Sequence, residues 1–168
     1  VGGDVVAGVM GSGVHRDERL TLFIDLGTNG EVVVGNQDWM ACAAASAGPA
    51  FEGGGIKFGM RASKGAIENF SVNPKTGDPA IVTVGRALPK GICGSGLIAA
   101  VAALFMAGMM DERGRFNLDH PSDRLREGED GPEYVLVYAD DSAVDRDITL
   151  TEPDVDYLMR AKAAMYAA

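Results

Sequence analysis

The clearest pattern of apolar and polar positions lies in residues 20–35, which read LTLFIDLGTNGEVVVG. Apolar side chains recur at every second position over residues 20–26, and Phe23 on the alternate face is also apolar. This predicts a strand that is buried on both faces and central in a sheet. Residues 32–34 predict a second strand. The intervening Asn29-Gly30 tolerates positive φ and is the strongest short hairpin signal, so we predict strand, turn and strand.

Downstream segments alternate between strand and helix patterns. Small residues at 40–47 predict a helix packed closely on a sheet, and a Gly-rich loop opens a second predicted helix over residues 95–109. Further strands are predicted at residues 56–60, 66–72, 80–84, 133–138 and 148–150. This order predicts an α/β fold with a mixed sheet, in which the hairpin supplies the antiparallel part.

The last segment predicts a third helix. Thr151 is a good N-cap, Pro153 suits the first turn, and Asp154 stands at a favoured acidic position. No Gly or Asn follows to end this helix, and the sequence does not begin with Met. We therefore expect residues 1–168 to be a single domain cut from a longer protein.

The charge of the chain restricts the ligands it can bind. The formal net charge is −9, and Lys and Arg do not cluster beyond short pairs. A nucleic-acid groove needs a basic footprint, so we expect no nucleic-acid partner. A free nucleotide stays possible, because backbone N–H groups and a divalent cation can neutralise its phosphates. The acidic segments 119–133 and 140–156 are interpreted as solvated surfaces.

Hydropathy and cysteine content indicate a cytoplasmic protein. No run of about 18 apolar residues occurs, so no membrane span is expected, and the first residues lack the features of a secretory signal. The two cysteines, Cys42 and Cys93, are too few for an iron–sulfur cluster or a structural zinc site. Reduced thiols in the cytoplasm are the expectation, and one bridge between them stays open.

The hairpin is the first candidate site. Because a second strand follows its turn, it cannot be a dinucleotide fingerprint, and no P-loop motif occurs in the sequence. Backbone N–H groups of Gly27, Thr28, Asn29 and Gly30, with the Thr28 hydroxyl, could hold phosphate oxygens. Asp25 could hold Mg²⁺ through water or orient an attacking water. The alternative is a plain type I′ hairpin that Asp25 caps.

The second candidate site is GICGSG, residues 91–96. Gly94, Ser95 and Gly96 open a predicted helix, where free N–H groups and the helix dipole favour an anion or the polar edge of a ligand. The alternative is a tight loop that lets the helix pack on the sheet. Cys93 is interpreted as a small buried residue.

Four further side chains are candidates near these motifs. Glu31 and Glu52 are possible cleft-facing carboxylates, with a turn carboxylate as the alternative for Glu52. Arg61 and Lys64 could neutralise phosphate, but pairing with Glu68 is the favoured interpretation.

These motifs together carry a family resemblance. The segments DLGTNGE, GPAFEGGGIKFGMRASKGAIE and GICGSGLI, in this order, resemble the C-terminal domain of the reductive activators of corrinoid proteins. The resemblance covers nearly the whole chain. It implies a ribonuclease-H-like, actin-like ATPase (ASKHA) subdomain with a mixed sheet and flanking helices. The chain would be the C-terminal half of the ATPase module.

The resemblance also implies an activity, cofactors and partners. ATP with Mg²⁺ would drive reduction of Co(II) to Co(I) on a partner corrinoid protein of a methyltransferase system. The parent polypeptide would carry a ferredoxin-like [2Fe–2S] domain and the first ATPase half, and would form a homodimer. In this interpretation Asp25 is catalytic, residues 27–30 bind phosphate, and residues 94–96 lie at the adenosine.

Two alternatives stay open. The fold could serve as a docking or dimerisation module with a vestigial nucleotide site, using residues 119–133 and the helix with Met106, Met109 and Met110 as its contact surface. A sugar- or acid-kinase-like phosphotransferase is the third interpretation, although the sequence identifies no catalytic carboxylate for it.

Overall fold

The computed structural model describes residues 2–168, which form helices, strands and short 3₁₀ turns. The helices are α1 (Gly3–Ser12), α2 (Gly94–Met106) and α3 (Glu152–Ala167). The strands are β1 (Thr21–Leu26), β2 (Gly30–Gly35), β3 (Met40–Ala45), β4 (Ala66–Val72), β5 (Pro79–Thr83), β6 (Gly91–Ile92), β7 (Leu125–Gly128), β8 (Gly131–Val137) and β9 (Ile148–Thr151). The predicted α/β class with helices and a mixed sheet arrangement is confirmed.

The chain divides into two compact units. The first contains the N-terminal segment through Pro49 together with Arg160–Ala168, and the second is Ala50–Met159. The expectation of a single domain over residues 1–168 stays a prediction, and each unit is described by itself.

The first unit is built on the antiparallel sheet β1-β2-β3. Helix α1 covers one face of this sheet, where Val5, Val9, Val14 and Val33 are buried against Phe23. The apolar pattern predicts no element before residue 20. Helix α1 is nevertheless amphipathic enough to bury two valines, and Gly13 ends it in a left-handed conformation with φ 79°.

Strand β1 is an edge strand, so the predicted central position is wrong. Its alternate face carries the exposed side chains Leu22, Ile24 and Leu26. The apolar pattern cannot distinguish a central strand from an edge strand with one exposed face. An apolar side chain favours burial, but it does not show that another element covers it.

Residues 40–45 form strand β3, so the predicted helix at 40–47 is wrong. All six residues pair with β2, from Gly30 opposite Ala45 to Gly35 opposite Met40. Alanine has high helix propensity, but the exposed hydrogen-bonding edge of β2 outweighs it. The loop before β3 contains a local turn signal, Asn36. Its side chain accepts hydrogen bonds from the N–H groups of Asp38 and Trp39.

The second unit has two three-stranded sheets that enclose its core. One has the order β5-β4-β6 and carries α2, with β4 and β6 parallel, and the other has the order β7-β8-β9. Phe70 and Tyr134 make an edge-to-face contact with ring centroids 5.9 Å apart, and the Tyr134 hydroxyl donates to the Gly77 carbonyl at 2.9 Å. The largest fully buried side chains of this core include Ile67, Ile92, Leu97, Leu104, Leu136, Ile148 and Leu150.

Two further predictions in this unit need correction. Residues 56–60 form turns and a single bridge between Gly59 and Ile92, because the Gly59 N–H closes a turn onto the Ile56 carbonyl at 3.0 Å. Of the three methionines in the predicted docking surface, Met106 is exposed at the end of α2, whereas Met109 and Met110 follow the helix and are buried in the core. The methionine stripe is therefore mainly core, as its flexible side chains suit.

The predicted N-cap of the last helix is confirmed. Asp154 is 3 % exposed, and its carboxylate accepts hydrogen bonds from the Thr151 N–H at 3.0 Å, the Thr151 hydroxyl at 2.8 Å and the Lys57 N–H at 2.8 Å. The Thr151 hydroxyl in turn accepts from the Asp154 N–H at 3.3 Å. This reciprocal cap joins the helix start to the segment at Lys57.

We expect Asp154→Ala to lower the free energy of unfolding by about 2–4 kcal/mol, because it leaves buried donors without an acceptor. Urea unfolding followed by circular dichroism measures this loss. Asp123→Ala, at an exposed position, is the matched control and should change stability by less than about 0.5 kcal/mol. Equal effects of the two substitutions would contradict the role of the cap.

Candidate functional site

The hairpin of β1 and β2 is confirmed, but its turn is not the predicted one. The loop is residues 27–29, and Gly30 is the first residue of β2. Neither Asn29 nor Gly30 has a positive φ, so this is not a type I′ turn centred on that pair. Gly30 instead lies against Met165, whose flexible side chain a Cβ at this position would displace.

The loop is held by backbone hydrogen bonds inside the first unit. The Gly27 N–H donates to the Asn29 carbonyl at 3.3 Å, and the Thr28 carbonyl accepts from the Gly48 N–H at 2.9 Å. The loop backbone is therefore fixed before any ligand binds, which suits a site that recognises phosphate through main-chain groups.

Asp25 and Glu31 stand directly opposite each other across the hairpin, on the same face of the sheet. Glu31 is 7 % exposed and Asp25 is half-buried. Among residues 2–168, no ion pair joins either carboxylate to a basic side chain. Opposed like charges destabilise a hairpin, and neither carboxylate is neutralised by a basic side chain of the described residues. This pair therefore fits a bound cation.

A metal held entirely by protein side chains does not fit. The part of the chain that the structure describes contains no group of three or more His, Cys, Asp or Glu side chains able to hold a metal ion. Magnesium commonly keeps several waters and takes one or two carboxylates together with substrate phosphates. The Asp25 and Glu31 pair matches that kind of site.

The second unit contains a cavity of about 510 Å³ at the start of α2. Gly94, Ser95 and Glu52, three of the candidates, line it together. Gly96 is not a lining residue. It lies instead against the Ile67 carbonyl, which a Cβ at this position would overlap. The remaining lining residues are Phe51, Met60, Arg61, Ala62 and Cys93.

The cavity exists because backbone segments approach closely at Gly94. A Cβ at Gly94 would overlap the Phe51 carbonyl oxygen. The preceding Cys93 is extended, with φ −93° and ψ 172°, and caps no N–H group with its side chain. The Ser95 hydroxyl donates to the Glu68 carbonyl at 2.9 Å, which fixes the first turn of α2 on β4. The helix N-terminus thus faces the cavity with its dipole unopposed by a side-chain cap.

The structure tests the interpretations of Cys93 and Arg61. Cys93 is 2 % exposed and its thiol contacts the Ile67 carbonyl at 3.3 Å, so it is a small buried residue as predicted. Arg61 does not form the predicted ion pair, since no salt bridge joins it or Lys64 to Glu68 within residues 2–168. Arg61 instead lines the cavity.

Phe51 and Met60 are not among the site residues that the sequence predicts. Phe51 precedes Glu52 in a 3₁₀ turn, Pro49–Glu52, and Met60 accompanies Arg61 on the segment paired near Ile92. The sequence signal for Phe51 was its place beside Glu52 and before three glycines. Met60 carries no such signal, because the hydrogen bond from its N–H to the Ile92 carbonyl at 2.9 Å brings it there.

Comparison with known protein families identifies the family of this chain. The model of the C-terminal domain of RACo, the ASKHA domain, matches residues 19–168. This chain belongs to that family. The ASKHA fold class predicted from the resemblance is thereby confirmed. Within residues 2–168, no helix has the length and apolar character needed to cross a membrane.

Two relatives of the ASKHA chain are much longer than it is. Corrinoid activation enzyme RamQ from Eubacterium limosum is 40% identical over 173 aligned residues, which cover 99% of this chain and 28% of that protein. The Methanosarcina barkeri [Co(II) methylated amine-specific corrinoid protein] reductase is 30% identical over 134 residues, covering 67% of this chain and 24% of that protein. The chain therefore spans about a quarter of these relatives.

A solved structure of a much longer protein is also similar to this chain. The reductive activator for corrinoid, iron–sulfur protein superposes with a TM-score of 0.94 at 51% sequence identity. The match covers 99% of this chain and 27% of that protein. The two units of the ASKHA chain thus occur in a solved member of the family.

We expect Gly94→Ala to lower the free energy of unfolding by about 1–3 kcal/mol, because its Cβ meets backbone and not a flexible side chain. Gly11→Ala in α1 is the matched control. Its Cβ would meet no atom within 4 Å, so it should stabilise the chain by about 0.5–1 kcal/mol. Chemical denaturation of both variants measures the difference, and two changes of the same sign would contradict the close approach at Gly94.

Proposed function

We propose that this chain is the nucleotide-binding subdomain of an ATP-dependent reductive activator of corrinoid proteins. ATP hydrolysis in the parent protein would be coupled to the one-electron reduction of Co(II) to Co(I) on a partner corrinoid protein. The names of the relatives support this activity. The observation that carries it for this chain is the opposed pair Asp25 and Glu31 at the base of a fixed loop.

The hairpin would bind the phosphates of ATP. The loop residues Gly27, Thr28, Asn29 and Gly30 would contact phosphate oxygens through main-chain N–H groups and the Thr28 hydroxyl. Asp25 and Glu31 would hold Mg²⁺ through bound water, and Mg²⁺ when bound neutralises charge on the phosphate oxygens. Asp25 would also accept a hydrogen bond from the attacking water and orient it toward the terminal phosphate.

The cavity in the second unit would bind the adenosine. Gly94 lets the ligand approach the backbone, and Ser95 opens a helix whose dipole favours the polar edge of the nucleoside. Glu52 would accept hydrogen bonds from ribose hydroxyls. Arg61, with its planar guanidinium, would stack on the base or neutralise phosphate charge.

The remaining predictions concern the parent protein. The electron would come from a [2Fe–2S] cluster on another part of the polypeptide, since this chain has two cysteines and such a cluster requires four ligands. The first ATPase half would belong to the same polypeptide. A cytoplasmic location and a homodimer complete the proposal.

A docking module with a vestigial nucleotide site is the weaker alternative. The contact surface that this interpretation predicts includes Met109 and Met110, which are buried in the core. The unpaired carboxylates of the hairpin also have no use in that interpretation.

We expect Asp25→Asn in the full polypeptide to lower the rate of ATP hydrolysis at least about 100-fold, because the amide cannot orient water as a carboxylate does. Phosphate release under saturating ATP and Mg²⁺ measures the rate. Asp38→Asn, an exposed substitution in the loop between β2 and β3, is the matched control and should leave the rate unchanged. Wild-type turnover in the Asp25→Asn variant would refute the assignment.

We expect Arg61→Gln to weaken ATP binding about tenfold, equivalent to about 1.4 kcal/mol, through loss of a cation at the cavity. Calorimetric titration of the full polypeptide with ATP and Mg²⁺ measures the affinity. Lys64→Gln removes a nearby cation that does not line the cavity and should leave the affinity unchanged. Equal affinities of the two variants would remove Arg61 from the site.

A further inference from the structure

A second cavity, of about 550 Å³, lies in the second unit on the polar face of the sheet β7-β8-β9. It shares no lining residue with the cavity at the start of α2. The proposed nucleotide site therefore does not account for it. The residues that matter here are Lys57, Phe58, Arg126, Glu133, Arg146 and Thr149.

Most charges in this cavity are already neutralised within the chain. Glu133 is 4 % exposed, and one of its oxygens accepts from Arg126 Nε at 3.0 Å and Nη2 at 2.9 Å. Arg126 Nη2 also lies 2.9 Å from an Asp147 oxygen, and Lys57 Nζ lies 2.7 Å from an Asp130 oxygen. The hydrogen bond to Asp130 raises the pKa of Lys57 and keeps it charged. These paired groups form the floor of the cavity.

Two side chains at this floor, the buried Thr149 and the exposed Arg146, have no hydrogen-bond partner for their polar groups among the described residues. Thr149 is 4 % exposed, and its hydroxyl is the one buried side-chain polar atom of residues 2–168 that has no hydrogen-bond partner. Arg146 lies over the Phe58 ring, 5.0 Å from its centroid, and no hydrogen bond or ion pair of its guanidinium is found in the described part of the chain. A buried hydroxyl without a partner is costly, so a ligand or bound water is expected beside it.

The loop that carries Arg146 is built to hold it in place. Asp145 has a left-handed conformation with φ 51°, which is strained for a residue other than glycine. The Ser142 hydroxyl braces this turn by donating to the Arg146 carbonyl at 2.8 Å. The Asp147 carboxylate is fixed in turn by the Ala139 N–H at 2.8 Å. The Arg146 side chain is exposed at the edge of the cavity and contacts the Phe58 ring from this turn.

We propose that this cavity binds a small monocarboxylate. Both groups can donate a hydrogen bond, and a carboxylate would supply acceptors for the forked donors of Arg146 and for the Thr149 hydroxyl. Glu127 and Glu129 also line the cavity and carry no ion pair within residues 2–168. Their negative charge disfavours a multiply charged phosphate and favours an anion with one charge.

Calorimetric titration of the full polypeptide with formate, acetate and inorganic phosphate, at constant ionic strength, tests this inference. We expect acetate or formate to bind and phosphate to bind more weakly or not at all. Arg146→Gln should lower the acetate affinity at least about tenfold, and Thr149→Val about tenfold, as expected for a lost hydrogen bond to a charged group. Arg113→Gln, at an exposed position outside the cavity, is the control and should change nothing.

The thermal midpoint separates binding from a structural role. Because the Thr149 hydroxyl has no hydrogen-bond partner among residues 2–168, Thr149→Val should leave the midpoint unchanged or raise it by a few degrees in the absence of carboxylate. An intact midpoint with weakened acetate binding supports the site. Absence of carboxylate binding, equal or tighter phosphate binding, or acetate binding that both variants retain would overturn it.

Discussion

The start of helix α2 lies so close to neighbouring backbone that two of its positions accept only glycine. A Cβ at Gly94 would overlap the Phe51 carbonyl, and a Cβ at Gly96 would overlap the Ile67 carbonyl. This approach places α2 on β4 and brings the segment with Glu52 to the helix N-terminus, so that the cavity forms between them. The cavity of the second unit therefore depends on the absence of side-chain atoms at the helix start.

Two pairs of acidic side chains differ in their surroundings. Glu133 and Asp154 are buried and satisfied by basic side chains or by N–H and hydroxyl donors. Such groups stabilise the fold, and they would be costly if a partner were removed. Asp25 and Glu31 oppose each other without a cation in the described residues. No ion pair within residues 2–168 neutralises these two, so they differ from the carboxylates that stabilise the fold.

The first unit contains one strand that the apolar pattern predicts and one that it predicts as a helix. Alternation predicted strand β1 with a one-residue difference at its start, and the second strand of the hairpin followed from the same periodicity. Pattern could not place β1 at the sheet edge, because the covering of a strand depends on residues distant in sequence. Residues 40–45 were predicted as helix, since alanine favours a helix locally, while pairing with β2 is a nonlocal interaction that outweighs this preference.

Local periodicity and capping signals in the sequence were enough to predict the hairpin, strand β4, helix α2 and the Thr151 cap, and the ordered motifs were enough to predict the family. Which side chains share a cavity depends on the packing of the folded chain. Arg61 was expected beside Glu68 and lines the cavity with Glu52 and Gly94 instead. The orphaned hydroxyl of Thr149 likewise has no sequence signal. Local propensity acts over a few residues, whereas a site is assembled by hydrogen bonds and packing between segments far apart in the chain.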